Sequence, residues 1–558
     1  MNAVNSAQIS APQPFDRKDA GLVLAHILFA FAALLLGGIA GLLQALVRAG
    51  MITLPANIGY YELLTAHGVL MALIFTTFFI IGFLYSGVSK TLGGRLLNSS
   101  RGMGWAGFGL MAVGTLIGTI EILLNRATVL YTFYAPLKAS PYFYIALALV
   151  VVGSWVSGFG IFTQYRHWKK ANRGQISPLF AFMSVIIMLL WQIATIGVAA
   201  EVVLQLIPWS FGWVDRVNIL LSRTLFWYFG HPLVYFWLLP AYIAWYVTIP
   251  QIIGGKIFSD ALARLSFVLF LLFSIPVGFH HQLMEPGISS FWKFLQVVLT
   301  FMVIIPSLMT AFSLFAVFEL NGRAKGATGL FGWLKVLPWK DVRFFAPFMG
   351  MLIFIPAGAG GIINASNQMN AVVHNTLWVT GHFHLTVATS VALTFFGVAY
   401  WLIPHLTGRK LTPFLNRLGI IQTVVWVAGM FLMSGAMHIS GLLGDPRRTA
   451  YTTYNGSAEA ASWVPYHIVM GVGGMVLFIG IILMTVNVML LLRAPKSGEA
   501  EEYPIGEVTE GSEKTPGYLE RWGVWISIAV VLILVAYTIP LYGMATNPVP
   551  GSPGFKTW

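Results

Sequence analysis

The chain has 558 residues, 57% of them hydrophobic and 9% charged, with a mean hydropathy of +0.78, which excludes a large soluble enzyme and indicates an integral membrane protein. It contains no cysteine, so disulfides, thiolate metal sites, iron–sulfur clusters and c-type haem attachment are excluded, and any metal must rest on histidine, carboxylate or water. The formal charge of +13 would suggest nucleic acid in a soluble protein, but here the basic residues fall in alternate loops, so the expected surroundings are membrane lipid and no nucleic acid.

Residues 2–19 are polar and carry no apolar run, so residues 1–19 read as a short cytoplasmic tail rather than a signal peptide. Apolar runs long enough to span a bilayer then begin near Leu22, Tyr60, Gly102, Pro141, Pro178, Leu221, Ala261, Phe291, Ala346, Asn375, Leu415, Pro465 and Trp522. The fold class is therefore all-α, a polytopic membrane protein with about 13 transmembrane helices. Residues 1–558 read as one integral-membrane domain, with no internal repeat and no soluble domain. The basic connections hold Lys90, Arg95 and Arg101; Arg166, Lys169, Lys170 and Arg173; Lys256 and Arg264; Arg323 through Arg343; and Arg409, Lys410 and Arg417. These are successive even-numbered connections, which the positive-inside rule makes cytoplasmic. The N-terminus is then inside and the C-terminus outside. One inner connection, residues 497–520, is acid-rich and expected to be mobile. The outer loops are short and aromatic, as in Tyr131 to Pro136 and Pro208 to Trp213, which suits the membrane interface.

Histidines concentrate the chemistry. The run His374-Asn-Thr-Leu-Trp-Val-Thr-Gly-His382-Phe-His384 carries two intramembrane histidines two residues apart. On an α-helix these point about 200° apart, so they cannot share one metal but can each hold a different flat cofactor. His67 lies about two turns into the second span, His231 near three turns into the sixth, and His280-His281 at the end of the seventh. With this topology, six histidines from four spans share one depth, which core histidines scattered for packing would not. His67 with one of the tenth-span pair would clamp a six-coordinate haem; the other would hold a second haem with an open face. His231, His280 and His281 offer three nitrogens suited to copper, provided that the adjacent pair sits at a helix end that lets both side chains converge. Tyr235 follows His231 by four residues and shares its helix face, so its phenol can supply one electron and one proton to dioxygen held between the metals.

With these motifs in place, the chain resembles subunit I of the haem–copper oxidases. The closest resemblance is to the B family, known from the ba-type cytochrome c oxidases, and it covers nearly the whole chain. The motifs that carry it are Leu64-Thr-Ala-His-Gly-Val-Leu70, Gly230-His-Pro-Leu-Val-Tyr235, Pro276-Val-Gly-Phe-His-His281 and Gly381-His-Phe-His384. The resemblance implies His67 and His384 on a low-spin haem of b type, and His382 on a high-spin haem of a type. It also implies copper B on His231, His280 and His281, with Tyr235 covalently joined to His231. Arg447 and Arg448, in the loop after the eleventh span, are suited to bidentate pairing with haem propionates, and the resemblance adds His374 on the propionate side. Asn370 departs from the ba-type pattern, where a carboxylate is expected nearby.

Relatives in the A family carry a glutamate two residues after the copper histidine; here that residue is Leu233, so their second proton channel lacks its terminal acid. A hydroxyl track remains. Tyr235, Tyr242 and Tyr246 are spaced by seven and four on one face, and Thr300, Ser307, Thr310 and Ser313 by seven, three and three on the eighth span. The resemblance likens this track to a K-type channel.

The expected function is a terminal respiratory oxidase: dioxygen is reduced to water with electrons from cytochrome c, coupled to proton translocation, in a bacterial or archaeal plasma membrane. Nitric oxide reductase on the same scaffold would place glutamates at the metal, and none stands beside His231, His280 or His281. A quinol-fed oxidase is the other variant; a transporter or plain cytochrome b would not need the copper triad. Without cysteine, copper A must lie on a second subunit, docked outside, and a small single-helix subunit is a further expected partner.

Overall fold

The computed structural model describes residues 15–450, 452–497, 501–509, 515–548 and 550–556. Thirteen long helices follow in chain order: α1 Arg17–Arg48, α2 Tyr60–Thr91, α3 Asn98–Leu123, α4 Pro141–Ala171, α5 Leu179–Phe211, α6 Ile219–Ile252, α7 Asp260–Phe273, α8 Ser290–Ala324, α9 Val342–Ala365, α10 Leu377–Thr407, α11 Pro413–Leu442, α12 Ala458–Leu491 and α13 Trp522–Thr546. All except α7 are long and apolar enough to cross a membrane, which makes twelve such helices among the described residues. The protein is therefore a multi-pass, mostly helical membrane protein.

The seventh expected span is different. α7 has 14 residues and rises about 21 Å, short of the bilayer core. Pro276 cannot donate a main-chain hydrogen bond and turns the preceding residue away from helical geometry. The chain finishes the crossing as irregular backbone and a 3-10 turn over Gly278–Gln282. Non-helical backbone at this depth is tolerated where protein surrounds it, and here Tyr537 Oη and Gln296 Oε1 take the main-chain N–H groups of Gly278 and Phe279 at 2.8 and 2.7 Å.

The most enclosed of the membrane-length helices are α2, α6 and α10, apolar on all sides and carrying His67, His231 and the His382–His384 pair. π-helical turns interrupt α2 over Val69–Phe75 and α10 over Thr386–Val391, each starting two residues past a histidine. The extra residue in such a turn re-aims the side chains around it.

Two sequence expectations need correction. The tail expected over residues 1–19 ends earlier: α1 starts at Arg17, and Asp19 is fully buried, accepting from Arg101 Nε at 2.6 Å, Ser89 Oγ at 2.7 Å and Leu96 N at 2.7 Å. Residues 1–14 lie outside the described residues. The acid-rich connection 497–520 is packed down where it is described. Tyr503 Oη meets Ser86 Oγ at 2.9 Å, Ile257 N donates to Glu507 O at 2.7 Å, and His405 Nδ1 bonds the Glu501 carbonyl. Its end carries Glu520 into a buried network: Arg264 pairs with Asp260 at 2.6 Å and Glu520 at 3.1 Å and donates to Ser177 O at 2.5 Å. Segregated charges drive this, because a buried guanidinium recruits carboxylates to whatever segment can supply them.

Replacing Arg264 with Gln would leave buried Asp260 without its cation and Glu520 with Lys169 alone, at 2.6 Å. A loss of about 3–5 kcal/mol is expected, seen as a lowered thermal unfolding midpoint of the purified protein.

Candidate metal centre

His231 descends from α6, and His280 and His281 come from the 3-10 turn after α7. One nitrogen from each imidazole lies within 4.8 Å of the other two. A 3-10 turn is what lets neighbouring histidines converge, since its tight, irregular backbone frees them from α-helical spacing. Each ring is held from behind. His280 Nδ1 donates to Val277 O at 2.6 Å and lies 3.0 Å from Thr300 Oγ1, so Nε2 is its free nitrogen. His281 stacks flat on Trp227, with ring centres 3.8 Å apart and planes 4° from parallel. His231 Nδ1 faces His281 Nε2 at 3.1 Å, close to the about 3.3 Å between two nitrogens bound to one tetrahedral ion at about 2.0 Å. The other nitrogen of His231, Nε2, is buried without a hydrogen-bond partner. Three neutral imidazoles with no carboxylate in the group suit a transition metal such as copper and not magnesium or calcium. The donor set therefore fits the implied copper.

Helical spacing left open which tenth-span histidine pairs with His67. The structure pairs it with His384: the rings are 8° from parallel with centres 6.2 Å apart. One iron between them, at about 2 Å from each nitrogen plus about 1 Å to each ring centre, needs about 6 Å. Both Nδ1 atoms are engaged, on Gly37 O at 3.0 Å and Thr380 O at 2.8 Å, which leaves both Nε2 atoms for an axial ligand role. Gly41 makes room for this, because a Cβ there would sit 2.5 Å from His67 Nδ1. His382 projects elsewhere, nearly parallel to Trp378 at 5.9 Å and against Gly360, where a Cβ would meet its Nδ1 at 2.5 Å.

All these histidines line one cavity of about 840 Å³, within the size range of cofactor sites. The six histidines thus share one chamber. Tyr235 also lines it, its ring centre 4.9 Å from that of His231.

Arg447, Arg448 and His374 stand at the cavity mouth. Arg447 Nη2 donates to Asn375 Oδ1 at 3.1 Å, and Arg448 sits over the rings of Tyr134 and Tyr131 at 5.3 and 5.7 Å. Arg447 Nε and Arg448 Nη2 are buried donors without a partner, which is the signature expected of a site for carboxylates. Burial, reinforced by Arg448, pushes Arg447 down to about 10. Burial and then the cations Arg447, Arg223, Arg448 and Lys293 push His374 down to about 4, so it is neutral at physiological pH. Its Nδ1 meets Asn370 Oδ1 at 3.1 Å, which puts the departure from a carboxylate in direct contact with this histidine.

Thr300, Ser307 and Thr310 all line the cavity, although from two helical segments. α8 breaks at Val303, just before Pro306, so Thr300 belongs to a different helical segment from Ser307, Thr310 and Ser313. Thr300 lies against His280, beside the histidine trio. Tyr246 Oη donates to Thr310 Oγ1 at 3.0 Å and lies 3.4 Å from Ser266 Oγ on α7. Tyr242 faces Ser307, and Ser313 Oγ is buried without a partner. Trp227, Ser266 and Asp445 were not picked out from sequence, because each works through a neighbour on another helix.

Replacing His281 with Ala is expected to abolish retention of a transition metal by the trio, read by elemental analysis. The optical signature of a cofactor held between His67 and His384 should persist.

Residues 21–476 match the family described as cytochrome c and quinol oxidase polypeptide I. The chain is 42% identical to cytochrome c oxidase subunit 1 of Thermus thermophilus, over 98% of this chain and 99% of that one. It is 26% identical to a probable quinol oxidase subunit 1 of Staphylococcus aureus, over 85% of this chain and 70% of that one. A haem–copper terminal oxidase dimer solved by cryo-electron microscopy superposes with a TM-score of 0.91 at 37% identity, covering 97% and 95% of the two chains. The chain thus belongs to the cytochrome c and quinol oxidase polypeptide I family, the catalytic subunits of the haem–copper terminal oxidases.

Proposed function

We propose that this oxidase subunit reduces dioxygen to water between His382 and the His231–His280–His281 trio, using electrons from cytochrome c and coupling the reaction to proton translocation. The observation that carries this reading is the convergence of three imidazoles beside Tyr235 in the cavity that also holds His382. His67 and His384 hold a low-spin haem, read as b type; His382 holds a high-spin haem, read as a type; the trio holds copper B. When bound, the haems and copper supply electrons and the site for dioxygen.

The protein's own residues do the rest. Val277 O and Thr300 orient His280, and Trp227 orients His281, so the nitrogens point at one place before a metal arrives. Tyr235 gives up one electron and one proton from its hydroxyl, and its covalent link to His231 is supported by the unpartnered Nε2. Arg447, Arg448 and His374 hold the propionates. The expected carboxylate being Asn370, proton loading at the mouth rests on neutral His374 and the propionates. A family member reducing nitric oxide would need acids at the metal; among the described residues the group holds histidine alone.

Protons travel from the cytoplasm past Ser313, Thr310 and Ser307 to Tyr246, Tyr242 and Tyr235, and the Tyr246–Thr310 hydrogen bond supports that order. Leu233 offers no alternative acid. Orientation follows the basic loops, with the N-terminus cytoplasmic and the C-terminus outside the plasma membrane. Electrons enter through a second subunit that carries copper A.

Tyr235→Phe keeps the ring and loses the hydroxyl. Oxygen turnover should fall at least a hundredfold, about 3 kcal/mol of barrier, with both haems retained. Peptide mass spectrometry of the native protein should show His231 joined to Tyr235. Thr310→Val preserves shape but breaks the hydrogen bond from Tyr246, so proton uptake and pumping in vesicles should fall together while low-spin haem reduction stays fast. Normal proton uptake in that variant would send the pathway elsewhere.

A further inference from the structure

Asp445 lies at the base of the loop that carries Arg447 and Arg448, and it is 1% exposed. Its Oδ1 accepts from Arg48 Nη2 at 2.7 Å, and its Oδ2 accepts from Ser440 Oγ at 2.5 Å and His467 Nε2 at 2.6 Å. Its carbonyl accepts from Leu377 N at 2.9 Å, at the start of the helix that bears His382 and His384. One residue therefore ties together the ends of α1, α10 and α11 and the third turn of α12. Arg48 also wraps the loop, donating to Pro446 O at 2.8 Å and Thr449 O at 3.3 Å, on either side of the arginine pair.

The loop needs such restraint. Arg448 has φ +64°, a left-handed conformation that a long side chain rarely adopts, and Asn375, facing it across the Arg447 N–H to Asn375 O hydrogen bond of 2.9 Å, has φ +58°. Backbone held in this region persists only when its surroundings over-determine it, and it concentrates at ligand clamps. Two adjacent guanidinium groups also repel each other, so without a cofactor the pair has no electrostatic reason to stay in register.

We propose that Asp445, acting with Arg48 and His467, is the positioning residue that holds Arg447 and Arg448 as a preformed cradle for the cofactor's carboxylates. This rests on the reading that Arg447 and Arg448 bind those carboxylates. The network serves the cradle and includes none of the histidines assigned to the haems or copper.

The sign of a redox shift tests it. Positive charge held close to a haem stabilises the reduced form and raises its midpoint potential. Loosening the cradle therefore lowers the potential, whereas deleting the Asp445 charge as a mere through-space effect raises it. In the purified complex with its subunits and haems, the low-spin haem potential is measured by optical redox titration for Arg48→Lys, which keeps the charge but loses the fork, and for Asp445→Asn. Both should titrate at lower potential with haem content unchanged, and Arg48→Lys should add no further shift in an Arg448→Gln background. An unchanged potential in Arg48→Lys, or a raised or unchanged one in Asp445→Asn, overturns the positioning role even if thermal stability falls. If Asp445→Asn does not assemble, Arg48→Lys decides alone. If Arg447→Gln with Arg448→Gln leaves the potential unchanged, the cradle reading itself fails, independently of Asp445.

Discussion

A hydrogen bond from an imidazole Nδ1 to a main-chain carbonyl, made three times, aims His67, His280 and His384 into the cavity. His67 bonds Gly37 O, His384 bonds Thr380 O and His280 bonds Val277 O. Each bond selects the tautomer with a proton on Nδ1 and turns a bare Nε2 toward the chamber. In a membrane interior no water competes for these carbonyls, so the bonds are durable. Iron and copper chemistry would meet ligands already aimed and already neutral.

Those bonds depend on backbone that departs from regular helix. Val277 O is available to His280 because the chain has left α7 after Phe273 and not yet entered the 3-10 turn. The π turns after His67 and His384 shift the register of α2 and α10 just where the two rings must become parallel. Close approach then depends on absent side chains: Gly41 beside His67 and Gly360 beside His382 leave the space their rings occupy. A straight helix with a β-carbon at every position would hold the same histidines and could not bring them together.

Charge is arranged as a contrast between the two ends of the bundle. At one end Arg101 and Arg264 are matched by Asp19, Asp260 and Glu520 in closed, buried networks that stabilise packing. At the cavity mouth Arg447 and Arg448 have unmatched donors, and burial, reinforced by the cations around it, holds His374 neutral. The same residue type is thus structural where its charge is cancelled and available for a ligand where it is not. Asp445 stands between the two regimes, cancelling Arg48 while leaving the neighbouring pair unspent.

Composition alone determined the class, because no soluble fold can bury so much apolar sequence, and the missing cysteines narrowed the metal ligands to imidazole, carboxylate or water. The spans were legible from apolar length, apart from the seventh, whose brevity follows from a proline read too lightly. The six histidines were legible because intramembrane imidazoles are rare, and their common depth followed from topology. Periodicity could say that His382 and His384 oppose each other but not which one meets His67; that required the packing of α10 against α2. The same limit explains why spacing could put Thr300 on the hydroxyl track but could not place it beside His280, a contact made across two helical elements. It explains the acid-rich connection, expected to move and instead held where described, since Arg264 recruits Glu520 across 256 positions of sequence. Local patterns carry residue type and spacing. Partnership across helices, the left-handed turn at Arg448 and the knot at Asp445 are properties of the assembled bundle, because they arise only when distant segments share one low-dielectric interior.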